Sequence, residues 1–180
     1  MPDAGERIAY TITYLAMETR PPAPPPAPLN QNLALIRAET PPVAYFLYLY
    51  SRVGADHEWT DWFEASTAEQ EAFVHDPAVS LYTLMVDGWP GGFFMLDARE
   101  GRVIDLAYFG LMPEALGRGL GAWLLGTALQ TAWDLPRAAR ITVNTCTLDH
   151  PRALPLYQKA GFVPERRLEA SRVLSRPRQM

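Results

Sequence analysis

The chain has 180 residues, of which 48% are hydrophobic and 20% are charged, and its formal net charge is −4. That size and composition predict one globular domain with a substantial core, and the acidic balance excludes a general basic surface for nucleic acid. The single cysteine excludes an internal disulfide framework and is typical of a reducing compartment.

The first elements of the chain are two strands separated by a proline-rich segment. Alternating Ile, Tyr and Thr predict a strand over Arg7–Met17, and Leu33–Glu39 has the pattern of a second one. The segment Pro21–Pro28 favours polyproline II, an extended form that rises about 3.1 Å per residue. We interpret it as a stiff strap that carries the chain back along a strand, with a ligand for a proline-binding domain as the alternative.

The next part of the chain has two predicted helices. Residues 41–54 have prolines in the first turn and a glycine at the end, and residues 67–76 have Thr67 at their start. The segment between them, "ADHEWTDWFEAS", combines tryptophans, carboxylates and a histidine.

The remaining elements complete a mixed α/β pattern. A glycine- and proline-rich hairpin signal, "DGWPGG", joins two of the strands. Strands are predicted over 80–86, 91–98, 102–112, 140–148 and 162–173, helices over 120–133 and 151–161, and a mobile arginine-bearing tail over 169–180.

Three glycines at alternate positions, Gly117, Gly119 and Gly121, lie between a predicted strand and a helix. The first amides of a helix have no intrahelical partner and carry partial positive charge. Glycines allow the backbone to approach an anion closely, and Arg118 adds a cation suited to phosphate. The alternative is a plain turn. The dinucleotide-binding pattern G-x-G-x-x-G is absent from this loop.

A second motif, "LDHPRALPLYQKAGF" over Leu148–Phe162, gives the loop a specific interpretation. Together the two motifs resemble the GNAT superfamily of acyl-coenzyme-A-dependent N-acyltransferases. In that family the loop has the pattern Gln/Arg-x-x-Gly-x-Gly/Ala, and a later helix has Asn-x-x-Ala-x-x-x-Tyr followed by Gly-Phe. The matching residues here are Gly119, Gly121, Ala153, Tyr157, Gly161 and Phe162.

The resemblance implies a GNAT fold. In this fold a mixed, mostly antiparallel, V-shaped sheet is flanked by about four helices. We expect one GNAT acetyltransferase domain over 1–180, in which residues 1–28 add an extra N-terminal strand and the strap.

Two residues depart from the family pattern. Leu116 stands where the loop has Gln or Arg, so the backbone amides would carry most of the anion binding. His150 stands where the helix motif often has Asn. Its imidazole would bond the pantetheine arm of the donor, or it would cap the helix beside Asp149.

The resemblance also implies the donor and its site. In the family an amine attacks the thioester of acyl-CoA directly in a ternary complex, so acetyl-CoA is expected as the acyl-donor cosubstrate. Strand-end amides would bond the thioester carbonyl or pantetheine, and loop amides would hold the pyrophosphate. The cofactor-binding residues implied are Leu111, Met112, Gly117, Arg118, Gly119, Leu120, Gly121 and His150.

Two residues are candidates for proton transfer. Tyr157 would protonate the departing thiolate, or it is a packed helix aromatic. Asp105, a carboxylate between apolar neighbours, would act as the general base, directly or through water, or it is a paired structural carboxylate. Cys146 is expected to be an inert buried thiol.

The acceptor side of the site is predicted in "HEWTDWF". Trp59 and Trp62 would enclose the acceptor, while Glu58 and Asp61 would attract an amine. Of these, Trp59 and Asp61 are the predicted substrate-binding residues. Core packing is the alternative role for one tryptophan.

The sequence therefore predicts an N-acetyltransferase that acts on a primary amine of a small molecule or peptide, without a metal ion. The alternatives are a non-catalytic acyl-CoA-binding or sensing module and a scaffold that uses the strap and tail. No apolar run reaches the roughly 18 residues of a membrane helix and the first residues do not resemble a signal peptide, so we expect a cytoplasmic protein with no membrane partner. A homodimer with the N-terminal strand at its edge is also expected.

Overall fold

The computed structural model describes residues 3–24, 26–28 and 30–177. Its strands are β1 (Arg7–Met17), β2 (Leu33–Ala38), β3 (Val79–Val86), β4 (Trp89–Asp97), β5 (Val103–Leu111), β6 (Arg140–Cys146) and β7 (Val163–Val173). Its helices are α1 (Val43–Gly54), α2 (Asp61–Glu64), α3 (Thr67–Val74), α4 (Leu120–Trp133) and α5 (Ala153–Lys159). The order matches the sequence prediction except for the one-turn helix α2.

The strands form one sheet in the order β2-β3-β4-β5-β6-β1-β7. All neighbours are antiparallel except β5 and β6, which run parallel and pair only between Val103–Asp105 and Arg140–Thr142. Beyond these three residue pairs the two strands diverge and open a V in the sheet. The predicted fold class, a mostly antiparallel V-shaped sheet flanked by helices, is confirmed.

Helices cover both faces of the sheet because its central strands have apolar side chains on both sides. Phe93 and Phe94 are adjacent on β4 and point to opposite faces, and both are fully buried. Phe94 packs in the core beneath α4, and Phe93 packs in the core beneath α1 and α3. Helix α3 begins at a capping box, in which Ser66 and Glu69 each accept the other's backbone amide.

The extra strand β1 is an internal strand. Its residues pair with β6 over Ile12–Met17 and with β7 over Arg7–Ala16. Leu15 and Met17 are buried on the side of α4. The prediction that this strand forms a dimer edge is therefore wrong, because both of its edges are occupied within the chain. The edges of the sheet are β2 and β7.

The proline-rich strap runs along α4 and not along a strand. At the end of the helix, Gln130 Nε2 donates to the Pro21 carbonyl at 2.9 Å. Further along, the Pro24 ring lies over Gly126, where a Cβ would come within 2.6 Å of it. Near the start of the helix, Gln31 Nε2 donates to the carbonyl of Arg118 at 3.2 Å. Residues 25 and 29 of this region lie outside the described residues.

The first residues of the predicted tail, 169–173, belong to strand β7. Strand β7 continues through Val173, and Leu174, which is buried, donates its N–H to the Glu6 carbonyl at 2.9 Å. Residues 178–180 lie outside the described residues. Within the described parts of the chain, no helix combines the length and apolarity that a bilayer span requires.

The contact between the strap and α4 predicts an unusual glycine substitution. Alanine normally stabilises a helix interior by about 1 kcal/mol relative to glycine. Gly126→Ala is expected to lower the melting temperature instead, because its methyl group would overlap Pro24. Gly121→Ala is the matched control, since its Cβ would meet only Leu111 Cδ1 at 3.9 Å. A Gly126→Ala melting temperature above that of the wild type would contradict the strap packing.

Candidate active site

A cavity of about 550 Å³ opens where β5 and β6 diverge. One wall is the end of β5 and the turn that leads into α4. The opposite wall is β6 with the start of α5, and the segment after α1 closes one end. The cavity therefore brings together three segments that are far apart in the sequence, two of which carry the motifs singled out above.

The glycine turn lies at the start of α4 beside the cavity. Gly117 and Gly119 both have φ of +75°, a left-handed conformation that other residues rarely adopt. A Cβ on either would meet nothing within 4 Å, so the space in front of the turn is open. Gly119 caps α4 without a side-chain hydrogen bond, and buried Leu120 begins the helix. The first amides of α4 thus have no side-chain cap, as an anion-binding turn requires.

Arg118 is placed differently from the sequence prediction. Its side chain does not line the cavity. It lies 3.4 Å from Asp87 and 5.6 Å above the ring of Trp89, in the turn between β3 and β4. The prediction that Arg118 helps the loop amides to hold the pyrophosphate is therefore not supported by the position of its side chain.

Of the two backbone amides predicted to bind the donor at the end of β5, those of Leu111 and Met112, only the Leu111 amide is directed toward the gap. The N–H of Met112 donates to the Gly91 carbonyl at 2.8 Å, and its side chain is buried away from the cavity, so this prediction is wrong. Successive residues of a strand direct their amides to opposite edges. The N–H of Leu111 therefore points away from β4 and toward the gap, and Leu111 lines the cavity.

Tyr157 lies on α5 and lines the cavity, as predicted. Its ring packs edge-on against Phe109 and Phe162, and the residue is only 6% exposed. Burial raises the pKa of its phenol well above the ordinary value, and the charges of Asp149 and Asp105 raise it further. The hydroxyl is therefore protonated at neutral pH and is available as a hydrogen-bond donor.

Asp149 connects two walls of the cavity, a role that was not predicted from the sequence. Its carboxylate accepts hydrogen bonds from Trp59 Nε1 at 3.2 Å, from Thr145 Oγ1 at 2.8 Å and from the Cys146 amide at 2.8 Å. The acidic residue directly before His150 in the second motif was the available signal. With three donors on one carboxylate, Asp149 is a structural anchor.

Two histidines line the cavity near Asp149. His150 Nδ1 accepts the Arg152 amide at 3.1 Å, so its neutral ring carries the proton on Nε2. The contact ties His150 to Arg152, the N-cap residue of α5, and the helix itself has no side-chain cap. His57 Nδ1 lies 3.3 Å from the Leu148 carbonyl, which can only accept, so this ring carries its proton on Nδ1. The ring centroids are 6.3 Å apart. His57 was not among the predicted site residues.

Trp59 lines the end of the cavity that the segment after α1 closes. Its ring packs against Tyr50 and Tyr108, and Gly54 leaves room for it, since a Cβ there would come within 2.3 Å. Trp62 instead packs in the core, where it stacks on Phe73 at 4.7 Å.

The structure does not place Asp61 at the cavity. Its side chain is exposed on α2 and lies 3.5 Å from Arg172 of β7. The prediction that it binds substrate is therefore wrong, because one turn of helix directs it toward β7.

Asp105 lies at the base of the gap but does not line the cavity. It is the last β5 residue paired with β6, and Thr142 Oγ1 donates to it at 2.6 Å. Burial raises the pKa of this carboxyl group, and the nearby charges of Asp97 and Glu100 raise it further. Its neighbour Leu106 reaches the cavity wall.

Two further features bear on alternative chemistries. Burial raises the pKa of the Cys146 thiol to about 11, and this residue does not line the cavity. Among the described residues, no group of three or more His, Cys, Asp or Glu side chains is arranged to hold a metal ion.

Solved structures of low sequence identity share this fold. A GCN5-related N-acetyltransferase from Kribbella flavida is 19% identical with a TM-score of 0.58, over 89% of this chain and 56% of that chain. A tandem GNAT protein from the clavulanic acid biosynthesis pathway is 16% identical with a TM-score of 0.62, over 94% of this chain and 55% of that chain. The chain therefore spans little more than half of these two proteins.

An aminoglycoside N-acetyltransferase in complex with CoA is 17% identical with a TM-score of 0.55, over 78% of this chain and 94% of that chain. These likenesses establish the fold. No curated protein matches the chain. The model of the acetyltransferase (GNAT) family matches residues 43–162, which include both the glycine turn and the helix of Tyr157. The chain thus belongs to the GNAT family of acetyltransferases.

Proposed function

We propose that this protein transfers the acetyl group of acetyl-CoA to a primary amine by direct attack in a ternary complex. The observation that supports it is one cavity that connects the open glycine turn, the hydroxyl-bearing Tyr157 and the aromatic wall at Trp59. A donor lying along the gap would reach the acceptor without leaving the cavity. The acceptor is a small molecule or a peptide.

The turn before α4 fits the pyrophosphate of coenzyme A. An anion needs several amides facing open space, and side chains at Gly117 and Gly119 would fill that space. The N–H of Leu111, directed into the gap, is suited to the thioester carbonyl or pantetheine. His150, with its proton on Nε2, offers one more donor on the opposite wall.

The residues of the cavity can then assist each proton transfer. The amine nitrogen forms a bond to the thioester carbonyl carbon, and the amide N–H at Leu111 stabilises the developing oxyanion. When the carbon–sulfur bond breaks, the sulfur takes the electron pair, and Tyr157 donates its proton to the thiolate. Burial keeps the phenol protonated at neutral pH, so its hydroxyl is in place to donate a hydrogen bond to the developing thiolate, while the raised pKa also makes it a weaker acid than an ordinary tyrosine.

The amine must also lose a proton, and Asp105 is the proposed base. It lies outside the cavity wall, so the proton would reach it through water at the base of the gap. Its raised pKa makes it a better base than an ordinary carboxylate. The same position favours a second candidate function, a non-catalytic acyl-CoA-binding module, in which Asp105 only pairs with Thr142.

Turnover with an amine panel and detection of the free thiol separates these two functions.

Tyr157→Phe is expected to lower kcat by about 10²-fold or more while the Kd for acetyl-CoA stays within about twofold, because only proton donation is lost. Tyr82→Phe is the control, since Tyr82 stacks on Phe94 and does not line the cavity. Acetyl-CoA binding without turnover of any amine would favour the binding module. An unchanged kcat in Tyr157→Phe would contradict its assigned role.

Asp105→Asn has opposite expected effects on stability and turnover. A carboxyl group whose pKa is raised by folding favours the folded state at low pH, and this contribution is lost as the pH rises through the raised value. At neutral pH the neutral amide should therefore be more stable than the ionised carboxylate, an advantage that shrinks as the pH falls toward the ordinary pKa of 3.8. Denaturant unfolding at two pH values measures it.

Turnover by Asp105→Asn is expected to fall by about tenfold or more, with loss of the acid limb of the kcat/KM profile. Wild-type turnover in this variant would remove Asp105 from the mechanism. A stability below the wild type at neutral pH would contradict the burial of an ionised carboxylate.

A further inference from the structure

The acceptor end of the cavity is formed by a short segment with little support of its own. Residues 55–61, the acceptor loop, consist of a 3-10 turn at Ala55–His57 followed by an irregular stretch that leads into α2. Neither the turn nor α2 has a side-chain cap. His57 and Trp59 both line the cavity, and Glu58 between them has φ of +60°, in the left-handed region. A non-glycine residue in that region needs surrounding contacts to hold it there.

Glu58 is held from the C-terminal end of the chain. The residue is 2% exposed, and its carboxylate is turned away from solvent. Glu58 Oε2 accepts the Ser175 amide at 2.9 Å and lies 4.0 Å from Arg172 Nε. A buried carboxylate is costly unless it is paired and hydrogen-bonded, so these two contacts stabilise its position.

Arg172 also contacts the rest of the acceptor loop. Its Nη2 donates to Thr60 Oγ1 at 2.6 Å and lies 3.5 Å from Asp61 Oδ1. The Arg172 side chain is 21% exposed. Its Nε is buried and has no hydrogen-bond partner among the described residues. The carboxylate recorded beside this Nε is that of Glu58. The Arg172 guanidinium therefore contacts the residue before Trp59 in the sequence and the two residues after it.

We propose that Arg172 and Glu58 are positioning residues, which clasp the acceptor loop to the last strand and thereby hold His57 and Trp59 as the wall that receives the amine. This inference rests on the proposed function. It gives β7 and residues 174–175 a role in acceptor binding. The glycine turn proposed to hold the phosphates of the donor lies at the start of α4, and among the described residues no recorded contact joins it to Arg172 or Glu58. We therefore expect acyl-CoA binding not to depend on the clasp.

A second ion pair, between Arg176 and Asp56, lies beside the clasp but does not hold the acceptor loop in the same way. Arg176 lies 3.5 Å from Asp56, but both side chains are at least half exposed. Ion pairs of that kind contribute little because water screens them. The buried contacts of Glu58 and Arg172 therefore carry the positioning.

The test compares Arg172→Gln with Arg167→Gln in the full chain. Arg167 is exposed on the same strand, opposite Thr13 of β1, and contacts no residue of the acceptor loop in the described structure. We expect Arg172→Gln to raise the acceptor KM by about tenfold or more, with the Kd for acetyl-CoA within about twofold of the wild type. Hydrogen exchange of the peptide spanning 55–64 should become faster in Arg172→Gln and stay unchanged in Arg167→Gln.

Two further variants keep the test decisive. Arg172→Lys keeps the charge but loses the planar fork, and an intermediate KM is expected. Glu58→Gly removes the carboxylate and the left-handed strain together, and it should reproduce the defect of Arg172→Gln. A normal acceptor KM in Glu58→Gly would overturn the clasp, because backbone geometry alone would then suffice.

The remaining outcomes separate the clasp from the function on which it rests. An acceptor KM and exchange rates unchanged in Arg172→Gln would overturn the inference, and so would faster exchange with an unchanged KM. Loss of acetyl-CoA binding in that variant would also overturn it, since the effect would not be confined to the acceptor side. A wild type that turns over no amine would overturn the proposed function, and the exchange experiment would still decide whether the clasp exists.

Discussion

The separation of β5 from β6 after Asp105 and Thr142 is the constraint on which the site depends. A strand that loses its neighbour leaves amides and carbonyls that need other partners. Here each diverging strand keeps a ladder on its outer edge, β5 with β4 through Leu111 and β6 with β1 through Cys146. The inner edges are therefore held rigidly apart, and the space between them forms the cavity. A ligand that lies in the gap meets backbone groups already fixed in direction.

The additions at the ends of the chain support this gap from outside. Strand β1 provides the outer ladder of β6, so the N-terminal extension is part of the site's framework. The strap runs along α4, and beyond it Gln31 donates to the carbonyl of Arg118 in the glycine turn. Asp149 ties the β6 side to Trp59, and Arg172 ties β7 to the same segment. Both walls of the cavity are thus fixed by residues far away in the sequence.

Local features of the sequence were enough to predict much of the fold. The helix over 120–133 was predicted with its observed bounds, because its apolar period and its preceding glycines are local signals. The family resemblance implied that Tyr157, Trp59 and Leu111 belong to the site, and all three line the cavity.

The errors concern residues whose position is set by a distant partner. Arg118 turns toward Asp87, Asp61 toward Arg172, and the Met112 amide toward Gly91. No local pattern reveals these pairings, because each depends on how strands far apart in the chain are arranged. The same reason explains the internal place of β1, whose register with β6 and β7 joins the two ends of the sequence.

The proposed function depends above all on the open turn before α4, which we propose binds the phosphates of coenzyme A. Calorimetric titration of acetyl-CoA into the wild type, Gly119→Asp and Gly101→Asp tests it most directly. Gly101 has the same φ of +75° and the same open surroundings but lies away from the cavity, so it controls for strain and added charge. The account predicts binding to the wild type and Gly101→Asp, with Gly119→Asp weaker by about tenfold or more because its carboxylate repels the anion. Equal binding by all three proteins, or none by the wild type, would contradict it.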